Sequence, residues 1–99
     1  MTTEPETAPA ATSRIWEEEI ARFVVERFLP GVDADELDAE YDLLATAVID
    51  SLGVLHVASW LEKQYGLTLP DPELTSRNFR SVRTIRLTAE RAAAGGGEA

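Results

Sequence analysis

The chain has 99 residues, enough for one domain with a single small hydrophobic core. It contains no cysteine, so disulfides, thiolate metal sites and cysteine nucleophiles are excluded, and any thiol chemistry has to come from a cofactor. The formal net charge of −9 disfavours nucleic acid and anionic membrane surfaces as partners, because binding to either depends on Lys and Arg.

Helical periodicity predicts an all-α fold, a small antiparallel bundle of three main helices and one short helix. Residues 1–12 have little to bury and predict a disordered leader, followed by one domain over residues 13–91. The first helix is predicted to begin at Ser13 as its N-cap and to end before Pro30-Gly31. Its apolar stripe consists of Trp16, Ile20, Phe23, Val24 and Phe28.

Residues 31–50 form a long acidic connection, and long loops in compact domains are usually functional. A second helix is predicted from Ser51 to about Tyr65, with Gly66 as its C-terminal cap. The predicted core anchors of the connection are Leu37, Tyr41, Leu44 and Val48. The predicted buried face of the second helix consists of Val54, Val57, Ala58 and Leu61.

The last part of the chain predicts a short helical turn and a third main helix. The turn is expected around residues 75–78, after the Pro70-Asp71-Pro72 segment. Ser81 is the expected N-cap of the last helix. The residues of this helix expected to face the core are Val82, Ile85 and Ala89. Residues 92–99 predict a disordered tail.

The acidic connection does not fit a calcium-binding loop. If Asp33 is taken as position one, Asp38 stands where the sharp turn requires Gly, and Leu44 stands where a bidentate Glu closes the site. We therefore expect no metal site here and interpret the connection as solvated surface that faces a partner.

Four arginines recur every three residues, namely Arg77, Arg80, Arg83 and Arg86. Such a stripe could bind phosphate, but pairing with the acidic first half of the chain is the favoured interpretation. His56 is the only histidine, so no histidine cluster can bind zinc. It lies about 140° around the helix axis from Ser51, which is poor geometry for a Ser-His-Asp triad. We expect His56 at the exposed surface, and no catalytic residues.

Ser51 on its own is most simply an N-cap, and Asp50-Ser51-Leu52 alone is a weak motif. The motif, however, ends an acidic loop and begins an amphipathic helix that closes with Leu-Glu and an aromatic-Gly pair. A Leu-Pro-Asp turn, a Phe and a final Val-x-x-Ile follow in order, within LLATAVIDSLGVLHVASWLEKQYGLTLPDPELTSRNFRSVRTI. Over roughly residues 15–90 the chain resembles an acyl carrier protein.

This resemblance implies that Ser51 receives 4′-phosphopantetheine from coenzyme A through a phosphopantetheinyl transferase. The protein would then hold an acyl group as a thioester and would not be an enzyme. Further implied partners are a loading ligase or acyltransferase and a downstream synthase or transferase. The chain would act as a cytoplasmic monomer without nucleic-acid or membrane partners. The implied partner-binding residues are Asp50, Leu52, Leu55, His56, Ser59 and Glu62.

The second helix departs from the strongly acidic helix of the familiar fatty-acid carriers, since Gly53, His56 and Lys63 stand where acids are common. This departure favours a discrete acyl carrier of a specialised pathway, such as polyketide or other antibiotic biosynthesis. A free-standing aminoacyl or peptidyl carrier of a nonribosomal peptide pathway is the alternative. From another functional class, a non-catalytic helical interaction module could bind partners through Leu52 and Leu55. The cargo stays open, because the loading enzyme mostly selects it.

Overall fold

The computed structural model describes the backbone of residues 8–96 and the side chains of residues 16–94. Within this part of the chain there are three α-helices, α1 (Ala8–Phe28), α2 (Ser51–Tyr65) and α3 (Val82–Gly96). Single turns of 3-10 helix interrupt the two connections, at Ala34–Glu36 and Asp71–Glu73. The predicted all-α class and the three main helices are confirmed.

The short helical turn expected around residues 75–78 is present as a single hydrogen-bonded turn and does not extend into a regular helix. The N–H groups of Asn78 and Phe79 both donate to the Thr75 carbonyl oxygen at 3.1 Å. A turn of 3-10 helix that was not expected lies earlier in the same connection, at Asp71–Glu73, where Pro72 occupies a position that needs no backbone donor.

The outer ends of α1 and α3 also differ from the prediction. α1 begins at Ala8, so Ser13 lies inside the helix and is not its N-cap. Pro9 is tolerated in a first helical turn and alanine has the highest helix propensity, which accounts for the earlier start. α3 extends to Gly96, into the segment expected to be a disordered tail. Residues 1–7 and 97–99 lie outside the described residues, and the domain bounds at 13 and 91 stay predictions.

The core is formed by all three helices and by the connections between them. Its largest fully buried side chain is Phe79, which belongs to the second connection. The predicted buried faces are confirmed for α2, at Val54, Val57, Ala58 and Leu61, and for α3, at Val82, Ile85 and Ala89.

The α1–α2 connection is anchored by residues other than those expected. Leu43 and Ile49 are at most 1% exposed, whereas Tyr41 is 42% exposed and its prediction as an anchor is wrong. The Leu43 N–H donates to the Arg80 carbonyl oxygen at 2.6 Å, which fixes the loop against the start of α3 and directs Leu43 inward. The other three expected anchors, Leu37, Leu44 and Val48, pack partly buried against the core.

Ion pairs join the arginines to the acidic first half, as expected. Arg80 pairs with Asp42 at 3.8 Å, Arg83 with Glu40 at 2.6 Å, and Arg86 with Glu17 at 2.6 Å. The hydrogen bond to Glu17 is the main reason why the pKa of the Arg86 guanidinium is raised. Arg77, the remaining member of the series, is exposed. Among the helices described, none is long and apolar enough to cross a membrane.

Candidate functional site

Ser51 is the first residue of α2, and the N-cap of this helix is Asp50. Asp50 has an extended backbone, and its Oδ1 atom accepts a hydrogen bond from the Gly53 N–H at 2.8 Å. The simple interpretation of Ser51 as an N-cap is therefore wrong. Its side chain is exposed, and its hydroxyl makes no hydrogen bond with the part of the chain that the structure describes. The Ser51 oxygen is thus available for covalent chemistry.

The backbone around Ser51 suits a negatively charged group. The first N–H groups of a helix have no intrahelical acceptor. Of those in α2, the Gly53 N–H donates to the Asp50 side chain and the Val54 N–H donates to the Asp50 carbonyl oxygen. The N–H groups of Ser51 and Leu52 are left without an acceptor in the helix, at the positive end of its dipole. This arrangement can stabilise a phosphodiester on Ser51 Oγ.

A surface groove of about 330 Å³ begins at Ser51. It is an open depression between α2 and the two connections, and its lining consists of four aliphatic and three hydroxyl-bearing residues. The lining residues are Leu44, Ser51, Val54, Leu55, Leu74, Thr75 and Ser76. A flexible group attached to Ser51 therefore meets an apolar surface directly beside its point of attachment.

The predicted partner face of α2 is partly apolar and open. Leu52 is 60% exposed and Leu55 is 51% exposed, although both are leucines on a helix that buries its other face. Exposed leucines next to each other commonly mark an interaction surface. Ser59 is exposed as well. These three residues and Ser51 are accessible to a partner at the same time.

The other three residues predicted for this surface have intramolecular roles. Asp50 caps α2. The Glu62 carboxylate accepts a hydrogen bond from the Leu69 N–H at 2.8 Å, which holds the segment after α2. His56 is half-buried, so the expectation of an exposed residue is wrong. Its Nδ1 atom lies 3.1 Å from Arg27 Nη2, where a guanidinium N–H can donate to it and link α1 to α2.

Gly53 is the residue of this site whose role the sequence did not reveal. A Cβ atom at this position would lie 2.8 Å from Ile49 Cγ2 and 3.2 Å from Phe28 Cε1. Gly53 therefore lets the first turn of α2 approach the end of α1 and the buried Ile49. The absence of a side chain directly after Asp-Ser-Leu was visible, but which atoms would occupy its place depends on the tertiary fold. The groove residues Leu74, Thr75 and Ser76 were missed because they follow α2 by many positions in the sequence.

The comparisons with known proteins agree with this geometry. Residues 25–87, well over half of the chain, match the family described as phosphopantetheine attachment site. The solved structure of KstB-PCP in its apo form is similar, with a TM-score of 0.67 and 43% sequence identity. The similarity covers 77% of this chain and 84% of that chain. None of the curated proteins matches the chain. The chain therefore belongs to the phosphopantetheine attachment site family, whose members are non-catalytic carriers with covalently attached 4′-phosphopantetheine.

Proposed function

We propose that 4′-phosphopantetheine is attached to Ser51 and forms a flexible arm. The protein would present its cargo on this arm to a set of partner enzymes. The observation that carries the proposal is the position of Ser51, which is exposed and is the first residue of α2 within the matched residues. Its hydroxyl makes no hydrogen bond with the described side chains or backbone. The arm supplies a terminal thiol, to which the cargo is joined as a thioester. The chain itself contains no cysteine that could compete for this load.

The residues around Ser51 have separable tasks in this function. Asp50 fixes the first turn of α2, so that the Ser51 oxygen is offered at a defined position to a phosphopantetheinyl transferase. The backbone N–H groups of Ser51 and Leu52 offset the charge of the phosphodiester. Leu44 and Leu74, which line the groove from the first and the second connection, offer apolar contacts to the part of the arm nearest to Ser51.

Leu52, Leu55 and Ser59 form the surface that partner enzymes contact while they reach the arm. The two leucines provide apolar area that a partner can bury, at about 25 cal/mol per Å² before the costs of association. We expect Leu55→Asp to slow loading or processing by partner enzymes while the far-UV circular dichroism stays unchanged, because Leu55 is exposed. Normal processing of this variant would contradict the surface assignment.

Between the two kinds of cargo, the comparison with KstB-PCP favours an aminoacyl or peptidyl group. PCP is the usual abbreviation for peptidyl carrier protein, and 43% identity over most of both chains is a specific similarity. This supports the nonribosomal peptide alternative over the acyl carrier of a polyketide pathway. Intact-mass measurement of the carrier isolated from its own cells, under conditions that preserve thioesters, would distinguish them. A mass increment equal to an amino acid or peptide residue supports the proposal, and a ketide or fatty acyl increment contradicts it.

The attachment site is tested by incubating the purified protein with coenzyme A and a broad-specificity phosphopantetheinyl transferase. We expect intact-mass spectrometry to show a gain of one phosphopantetheine in the parent protein and none in Ser51→Ala. Thr68→Ala is the matched control, since Thr68 is an exposed hydroxyl-bearing residue outside the groove and the leucine surface, and it should be modified like the parent. Modification of Ser51→Ala, or no modification of the folded parent by several transferases, would refute the assignment.

A further inference from the structure

Five aromatic side chains form a continuous row where α1 meets α2. Successive ring centroids are 4.3 Å apart for Trp16 and Tyr65, 5.8 Å for Tyr65 and Trp60, 4.6 Å for Trp60 and Phe23, and 6.4 Å for Phe23 and Phe28. We call this row the aromatic seam. All five rings are only partly buried, while the centre of the core is formed by Phe79 and aliphatic residues. Each ring therefore keeps a minor part of its area at the surface.

Within the aromatic seam, Trp60 lies away from the arm, whereas Phe28 packs close to Gly53 in the first turn of α2. Trp60 follows Ser51 by nine positions on α2, which places it about 180° around the helix axis. Leu55, by contrast, lies only about 40° from Ser51 on the same axis. A protein bound at Trp60 would leave Ser51 and the leucine surface free for other enzymes.

Two parts of the aromatic seam have different surroundings. The Tyr65 hydroxyl donates to Glu19 Oε1 at 2.5 Å, a bond that ties α2 to α1. In the middle of the seam, the stacked pair Phe23 and Trp60 borders an open groove of about 210 Å³. Tyr65 therefore has a structural role, whereas the part of the Phe23–Trp60 pair that borders the groove is open to solvent.

The rim of this groove carries more negative than positive charge. Its charged residues are Glu19, Glu26 and Arg22, and Gln64 completes the lining. Glu26 is exposed and forms no ion pair within the described residues. Aromatic faces and nearby carboxylates both attract cations, and a guanidinium can also stack flat on an indole ring.

We propose that the groove at Phe23 and Trp60 is a docking site for a partner protein segment that presents an arginine between apolar residues. The guanidinium would stack on Trp60 and face Glu26, while the apolar neighbours would cover Phe23. Tryptophan is enriched among the residues that dominate binding energy at interfaces. The net charge of −9 also favours encounter with a basic partner. Such a site would retain the carrier near one protein while its arm serves others.

The test uses two acetylated peptides, Leu-Ala-Arg-Ala-Leu and the same peptide with citrulline, which has a similar shape but no charge. They are titrated to millimolar concentration into the full ¹⁵N-labelled chain, and the indole N–H signal of Trp60 is followed by NMR. We expect saturable shifts at Trp60 with the arginine peptide and binding about five-fold weaker with citrulline, in line with a cation–π contact of modest strength.

Variants locate the site and test each part of it. Trp60→Leu should abolish the shifts in neighbouring amides, and Glu26→Gln should weaken binding several-fold. Glu36→Gln is the matched control, since it removes an exposed carboxylate that does not line this groove, and it should bind like the parent. Ser51→Ala should also bind like the parent, so this outcome is independent of arm attachment.

Three results would each overturn the proposal. They are equal affinity for the two peptides, equal loss of affinity in Glu26→Gln and Glu36→Gln, or shifts centred on Leu55 instead of Trp60. Because Glu26 is exposed, its variant folds irrespective of how Trp60→Leu behaves, and the proposal can still be refuted.

Discussion

Replacing Gly53 with alanine tests whether the first turn of α2 is held in place by close packing. In an exposed helix this change stabilises the protein by about 1 kcal/mol, because alanine has the higher helix propensity. Here the new methyl group would lie 2.8 Å from Ile49 Cγ2, closer than real Cβ contacts allow, and 3.2 Å from Phe28 Cε1. Ile49 is only 1% exposed and has little room to move.

The magnitude follows from these two opposing effects. Forcing an extra methyl group into a packed site costs about 1–3 kcal/mol. After the gain of about 1 kcal/mol in helix propensity, we expect Gly53→Ala to lower the free energy of unfolding by about 1 kcal/mol. The Asp50 Oδ1 atom would lie 3.4 Å from the methyl group, an ordinary contact, so the N-cap should survive.

Urea unfolding followed by circular dichroism measures this effect, and a double-mutant cycle with Ile49→Ala isolates its cause. Ile49→Ala alone should cost about 2–5 kcal/mol. In that background the clashing Cγ2 atom is absent, so Gly53→Ala should become neutral or stabilising, with a coupling energy of about 1–2 kcal/mol. A stabilising effect of Gly53→Ala in the parent protein, or no coupling to Ile49, would refute the reasoning.

Three further predictions concern the cap, a tyrosine and the ion pairs. Asp50→Ala should lower the free energy of unfolding by about 1 kcal/mol, whereas Asp50→Asn should keep most of the stability of the parent, since aspartate and asparagine both cap helices well. If Asp50→Asn is nevertheless loaded more slowly by the transferase, the Asp50 carboxylate is a partner contact. Burial, and then the hydrogen bond to Glu19, raise the pKa of the Tyr65 phenol above its ordinary value of 10.0. The stabilisation associated with this shift is therefore fully present below about pH 10, where the unfolded phenol titrates, and is lost at higher pH as the folded phenol ionises. The stability difference between the parent and Tyr65→Phe should accordingly decrease above that pH, and a difference independent of pH would contradict the assignment. Arg86→Met should cost about 2 kcal/mol and Arg83→Met less than about 1 kcal/mol in the same unfolding assay, because the Arg86 side chain is 19% exposed and the Arg83 side chain is 47% exposed; equal costs would refute this ranking.

The second helix could be predicted from the sequence because its signals are local. Gly66 adopts a left-handed conformation with φ of 66°, and its N–H donates to the Glu62 carbonyl oxygen, which matches the role expected of a glycine at a helix end. The buried positions of α2 follow helical periodicity and need no knowledge of the partner helices. The same holds for the arginines, whose pairing followed from the charge difference between the two halves of the chain.

The α1–α2 connection could not be predicted to the same extent, because its structure depends on contacts distant in sequence. Leu43 is buried since its N–H donates to the Arg80 carbonyl oxygen, and its own carbonyl oxygen accepts from the N–H groups of Val48 and Ile49. Ala47 between them has a φ of 63°, a conformation that alanine rarely adopts and that no local signal indicates. Loops without periodicity give no indication of which apolar residue faces the core, and Tyr41 was accordingly misplaced.

The candidate attachment residue is free where its neighbours are constrained. The Asp50 side chain accepts a hydrogen bond from the Gly53 N–H, Gly53 packs closely against Ile49, and Val54 is buried. The Ser51 hydroxyl lies among them, exposed and without an intramolecular bond in the described chain. Attachment of an anion at this oxygen therefore breaks no contact, and the free N–H groups beside it favour the added charge. We expect the loaded form to be at least as stable as the apo form, with a free energy of unfolding higher by up to about 1 kcal/mol, the usual size of a favourable charge at a helix N-terminus. A carrier that is loaded and unloaded repeatedly requires this separation between the residue that reacts and those that hold the fold.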